Sequence, residues 1–236
     1  MSEPDPRELD PAVFEGRDPR ELDPAVLEGR DPRELDPDYD SHGGFPRFQI
    51  VEPPPGFGRF VSAMRRAQDL AVSADGVDWD AAADRVEALV DFLVPHLGPD
   101  RSGPAGRIAT LPGAGSILMP PWEIRTFGPE LVEVEVTFSR YHVGGNNAVH
   151  GGMVAMMFDV MFGIIIHSIA RPISRTAFLH VDYRNVTPID VPLTVRGRAS
   201  KVEGRKTFVT AELTTPDGTL CAEANGLMVR LLPGQP

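Results

Sequence analysis

The apolar positions divide the chain into blocks of different period. "RFVSAMRRAQDLAVS" places Phe60, Met64, Ala67 and Leu70 or Ala71 three or four residues apart, and "WDAAADRVEALVDFLVPHL" repeats this with Val86, Leu89, Val90 and Leu93. That spacing predicts two helices, the second opening after Asp78 and closing near Pro95. Residues 98–121 are rich in Gly and Pro and predict a loop crossing the surface. From residue 122 the period becomes two: "LVEVEVTFS" puts Val132, Val134, Val136 and Phe138 on one face. A long apolar helix over "AVHGGMVAMMFDVMFGIII" comes next. Four strands then follow, "TAFLHVDYRNV", "LTVRGRASKVEG", "KTFVTAELTTPDG" and "TLCAEANGLMVRL", with turns at "EGR" and "PDG". A helix too apolar to be amphipathic, in a domain with one antiparallel sheet, must be wrapped by that sheet, so the fold class is α+β.

Upstream, "RELDPAVFEGRDP" is followed at once by "RELDPAVLEGRDP" and then by a partial "RELDPDYD". Each unit carries few apolar side chains and is broken by proline. It buries too little surface to offset its ordering entropy, which predicts a disordered tail. The predicted organisation is tail and linker over 1–58, a helical extension over 59–97, a loop over 98–121 and the main domain over 122–232.

Charge sharpens this division. Of the formal net charge of −11, residues 1–40 account for −9, with fourteen Asp and Glu against five Arg, whereas 117–236 balance eleven acids with eleven bases. The acidity belongs to the tail, and a neutral body argues against nucleic acid as a partner. A single cysteine, Cys221, excludes an internal disulfide framework and fits a reducing compartment. The start "MSEPDPRELD" lacks signal-peptide character, and the longest apolar run falls short of the roughly 20 residues a bilayer needs. The expectation is a soluble cytoplasmic protein without a membrane partner. Twenty-one Arg against two Lys suggest a GC-rich bacterial genome. The histidines and Cys221 have no metal-ligand spacing, so no metal or redox cofactor is expected.

One residue resists the structural pattern. Thirteen of the fourteen residues from Met153 to Ile166 are apolar or glycine, and the exception is Asp159. An isolated carboxylate in packed hydrocarbon is costly unless it is paired or its pKa moves. A strand, then His150-Gly151-Gly152 opening a long helix, Asp159 nine residues after the histidine, and Thr176, Leu179 and Tyr183 as "T-x-x-L-x-x-x-Y" in the following strand form an ordered set. Over roughly residues 117–232 this set resembles the hotdog-fold acyl-CoA thioesterases of the PaaI-like group, as do "KVEGRKTFV" and "AEANGLMVRL". The resemblance implies a sheet wrapped around one central helix and thioester hydrolysis.

The residues support that chemistry independently. Gly151 and Gly152 allow close approach to the backbone, at a helix start whose first N–H groups lack intrahelical partners. Asp159 lies roughly 10–12 Å further along the helix at 1.5 Å per residue. One carbonyl carbon cannot touch both, so one subunit cannot assemble the site. Two antiparallel helices across a two-fold axis would bring Asp159 of one to the Gly151–Gly152 terminus of the other, an arrangement the family also implies. The expected assembly is a homodimer or a dimer of dimers.

The Gly151 and Gly152 amides would then stabilise the developing oxyanion, and Asp159 would act as general base or as nucleophile. The resemblance assigns Thr176 to positioning the water or the carboxylate and Arg184, Arg205 and Lys206 to the coenzyme. It does not make His150 the base; a role in fixing the loop remains open. The residues around Phe178 would line the acyl pocket. Many relatives carry an asparagine six residues before the histidine to polarise the carbonyl; here that position is Gly144, and the asparagines are Asn146 and Asn147. This departure leaves open a catalytically silent acyl-CoA-binding or regulatory protein. An acyl-CoA hydratase on the same fold fits less well, because His150 and Asp159 stand at separate points of the helix.

Overall fold

The computed structural model describes residues 52–98, 103–169 and 174–232. The predicted tail lies outside them, apart from its last few residues. Helix α1, Phe57–Ala71, carries one fully buried residue, Val61. Helix α2, Trp79–Leu93, starts where the Asp78 carboxylate accepts the Ala81 N–H at 3.0 Å, as the sequence predicts, and ends in a 3₁₀ turn, Val94–His96, that contains Pro95. No residue of α2 is fully buried, and Val86, Val90 and Phe92 are exposed.

Strands β1, Trp122–Phe127, and β2, Val132–Thr137, precede a small hairpin of β3, Val143–Gly145, and β4, Ala148–Val149. The hairpin was not legible as strand. Asn146 and Asn147, with φ of 51° and 56°, supply the two left-handed residues that a tight two-residue turn demands. Helix α3, Gly151–Ser168, is followed by β5, Ser174–Tyr183, β6, Pro192–Glu203, β7, Lys206–Thr214, and β8, Leu220–Arg230. The main sheet has the order β1-β2-β6-β7-β8-β5, every pair antiparallel. It packs against α3, the wrapped arrangement of a hotdog fold.

The core forms where Phe158, Phe162, Met161 and Ile165 of α3 meet the inward valines of β2, β6 and β7. Two sheet glycines permit this close approach. A Cβ on Gly226 would lie 2.5 Å from Phe162 and 2.7 Å from the Phe178 carbonyl oxygen; on Gly197 it would lie 2.8 Å from Ile165. Any larger residue there would push the helix off the sheet.

Three expectations need correction. The segment before β1 is more than a surface crossing: Ile108 and Ala114 are 1% and 3% exposed, and Arg65 of α1 donates to the Pro112 and Ser116 carbonyls at 2.9 and 2.6 Å. The apolar run extends into an 18-residue helix, long and apolar enough by length and composition to cross a bilayer, although eight of its residues are buried within the protein. Third, Asp159 does not sit in hydrocarbon. A single sheet covers only one side of a helix, and Gly152, Asp159 and His167 lie along the uncovered side. Cys221, by contrast, is fully buried.

Candidate active site

The start of α3 is built from short-range contacts. The His150 N–H donates to the His142 carbonyl at 2.8 Å, and the His150 carbonyl accepts the Met153 N–H at 2.8 Å. His150 is the N-cap, its Nδ1 accepting the Gly152 N–H at 3.0 Å. The Gly152 amide therefore already has a partner, which corrects its assignment as a second oxyanion donor. The Gly151 N–H has no acceptor among the described residues. It is the free donor at the positive end of the helix.

Gly144 explains itself in the same place. A Cβ there would stand 2.9 Å from His150 Cα and 3.0 Å from its imidazole, so no side chain fits at the position where the sequence resemblance leads one to expect asparagine. Asn146 and Asn147 serve as the turn residues and are exposed.

Two turns down the helix, Asp159 is held from the sheet. The Thr176 hydroxyl donates to Asp159 Oδ1 at 2.7 Å and lies 3.4 Å from the Met228 sulfur. This contact joins two elements 17 residues apart and orients the carboxylate on the open face of α3. Gly163, one turn further along that face, has nothing within 4 Å of where its Cβ would be. The eight-residue step from Gly151 to Asp159 separates the free amide from the carboxylate by about 12 Å along the helix axis. Within one protomer they cannot share a carbonyl group.

The three cations assigned to the coenzyme divide between the two ends of β5. Arg184 follows Tyr183 at the Gly151 end and is engaged by Glu223 at 2.7 Å and Asp182 at 3.2 Å. Arg205 and Lys206 stand at the Asp159 end, where Lys206 pairs with Val229 and Val229 with Arg175, the neighbour of Thr176. The Arg205 Nε donates to the Arg230 carbonyl at 2.9 Å. Lys206 and Lys201, the only lysines of the chain, line a groove of about 820 Å³ on the outer face of the sheet, together with Arg196 and Arg198. Phe178 is half-buried two residues after Thr176 in the strand.

The α1 helix braces the loop that carries His142. Asp69 Oδ1 accepts the Tyr141 N–H at 3.0 Å, and buried His142 uses Nδ1 to accept the Ser139 N–H at 2.9 Å. Sequence reading missed this brace, since only the fold brings α1 to the loop. Burial pushes the His142 imidazole below its usual pKa; the Asp69 charge opposes this and Arg65 adds to it. The unfolded chain therefore takes up a proton near pH 6.5 that the folded chain refuses, and stability is lost as pH falls below that point. Thermal melts should show this loss between pH 7 and 5. His142→Asn, whose amide oxygen can still accept from Ser139, should flatten the slope.

Among the described residues no group of three or more His, Cys, Asp or Glu is placed to hold a metal ion. Residues 146–222, from the β3–β4 turn into β8, match the family described as "Thioesterase superfamily". Acyl-coenzyme A thioesterase THEM4 of Rattus norvegicus is 35% identical over 89 residues, 37% of this chain and 38% of the rat protein. The Xenopus laevis protein of the same name is 31% identical over 94 residues, 39% of this chain and 42% of its own length. The aligned stretch thus spans well under half of these relatives. A crystal structure of a thioesterase superfamily protein superposes with a TM-score of 0.66 at 26% identity, covering 76% of this chain and 98% of that one. That share exceeds what residues 122–232 alone supply.

Proposed function

We infer that this hotdog-fold chain, whose residues 146–222 form a thioesterase-superfamily domain, hydrolyses acyl-CoA thioesters as a dimer. The observation that carries the reading is the division of labour on α3: a Gly151 amide at its start that is unpaired among the described residues, and eight residues on a carboxylate oriented by Thr176 on the uncovered side.

Two features of the protomer favour a second copy beside it. Among the described residues strand β5 ends the sheet and pairs only with β8, leaving one edge open. The uncovered stripe of α3 lies next to that edge, because Thr176 of β5 touches Asp159. Joining two β5 edges about a two-fold axis would extend the sheet and lay the helices antiparallel. Asp159 of one protomer would then approach Gly151 of its partner, and Arg205 and Lys206 of one would approach Arg184 of the other. The cations for the coenzyme phosphates thus come from both chains.

In this site the thioester carbonyl oxygen accepts from the Gly151 N–H. Asp159 takes a proton from water as its oxygen attacks the carbonyl carbon. The tetrahedral oxyanion then collapses, the C–S bond breaks, and the CoA thiolate leaves to be protonated. In the alternative route the Asp159 carboxylate attacks first, expels the thiolate and forms a mixed anhydride that water hydrolyses. THEM4 relatives, named acyl-coenzyme A thioesterases, support the substrate class. The purified protein should release free thiol from members of an acyl-CoA panel. Tight acyl-CoA binding without turnover at any chain length would overturn this reading and select the silent binding protein, which the absence of a side chain at Gly144 favours.

A further inference from the structure

The motif tyrosine, Tyr183, has no place in the reaction as written, and its contacts give it one. We propose that Tyr183 is a positioning residue that locks the Gly151–Gly152 peptide so that the Gly151 N–H stays aimed at the thioester carbonyl oxygen; this rests on the thioesterase reading.

The Tyr183 hydroxyl donates to the Gly151 carbonyl at 2.8 Å, across 32 residues of sequence. The N–H of that same peptide unit, on Gly152, donates to His150 Nδ1 at 3.0 Å. A peptide unit is planar, so holding its oxygen from the sheet and its N–H from the cap removes its freedom to rotate. The preceding unit is held too, since the His150 carbonyl accepts the Met153 N–H at 2.8 Å inside the helix. Peptide geometry turns the Gly151 N–H the opposite way, out of the helix start.

This bracing matters because two consecutive glycines are the most easily reoriented step in a chain. A flipped Gly151–Gly152 peptide would present a carbonyl oxygen beside the place where negative charge develops. Glycine at 151 is also what admits the brace: a Cβ there would lie 3.2 Å from the Tyr183 hydroxyl. His150 holds the N–H end of the peptide and the first helical turn its carbonyl oxygen, to which the Tyr183 hydroxyl adds a second donor from the sheet.

The test is Tyr183→Phe, which deletes the hydroxyl and keeps the ring. Losing one hydrogen bond of ordinary net strength should lower kcat about five- to tenfold with KM unchanged. The melting temperature should stay near that of wild type, and selectively ¹⁵N-glycine-labelled protein should show faster hydrogen exchange at the Gly152 amide. Unchanged exchange overturns the proposal whatever the rate does, since a slower enzyme with a rigid peptide would mean that Tyr183 acts elsewhere. Faster exchange with unchanged kcat overturns it equally. Failure of the thioesterase reading is seen separately, as wild-type protein that turns over no acyl-CoA; the peptide brace is then judged by exchange alone.

Discussion

Asp159→Asn is expected to lower kcat for acyl-CoA hydrolysis about a thousandfold, with little change in melting temperature. A positioned general base contributes roughly 10²- to 10⁴-fold, and a nucleophile carrying a covalent route contributes at least as much. A thousandfold corresponds to about 4 kcal/mol of transition-state stabilisation. The replacement is close to isosteric, and the amide oxygen of asparagine can still accept from the Thr176 hydroxyl that holds Asp159 at 2.7 Å. Because Asp159 lies on the exposed side of α3 rather than in the core, folding should tolerate the change. Steady-state thiol release by the two proteins decides the matter. A rate within a few-fold of wild type would remove the carboxylate from the chemistry.

The second large effect is a gain. Asp159→Asn and Gly151→Pro proteins, each nearly inactive alone, should recover about a quarter of wild-type activity when unfolded together in equal amounts and refolded. Half of the dimers formed at random are mixed, and in each mixed dimer one site carries both lesions while the other carries neither. Proline is the suitable change at 151 because it deletes the N–H while occupying the first helical position, where its ring is well accommodated. His150, at φ −60° and ψ 131°, already has the extended conformation required before proline. The Tyr183 hydroxyl, 3.2 Å from the new Cβ, must yield by a few tenths of an ångström. A mixture as inactive as its parents would show that the amide and the carboxylate do not meet across two chains.

Much of this molecule can be read locally. The alternation in "LVEVEVTFS" marks β2, the turns at "EGR" and "PDG" separate β6, β7 and β8, and Asp78 marks the start of α2. Each signal lies within a few residues of the element it specifies, because backbone geometry has a short period. The proposed site residues His150, Gly151 and Asp159 could be picked out for the same reason, as one helix and its cap. The β3–β4 hairpin was hidden because its strands are three and two residues long, too short to show any period.

Sequence alone determined that one apolar helix would lie against one antiparallel sheet, and which residues on that helix are chemically out of place. Tertiary structure alone decided what those residues touch. The Gly152 amide is taken by the His150 ring and the Gly151 amide is left free among the described residues; Gly144 is bare because His150 packs onto it; Asp159 faces outward because one sheet covers one side of a helix. Thr176 and Tyr183 act from β5, 17 and 32 residues from their partners. Contacts at such separations depend on how the strand lies beside the helix, a relation that no local periodicity encodes.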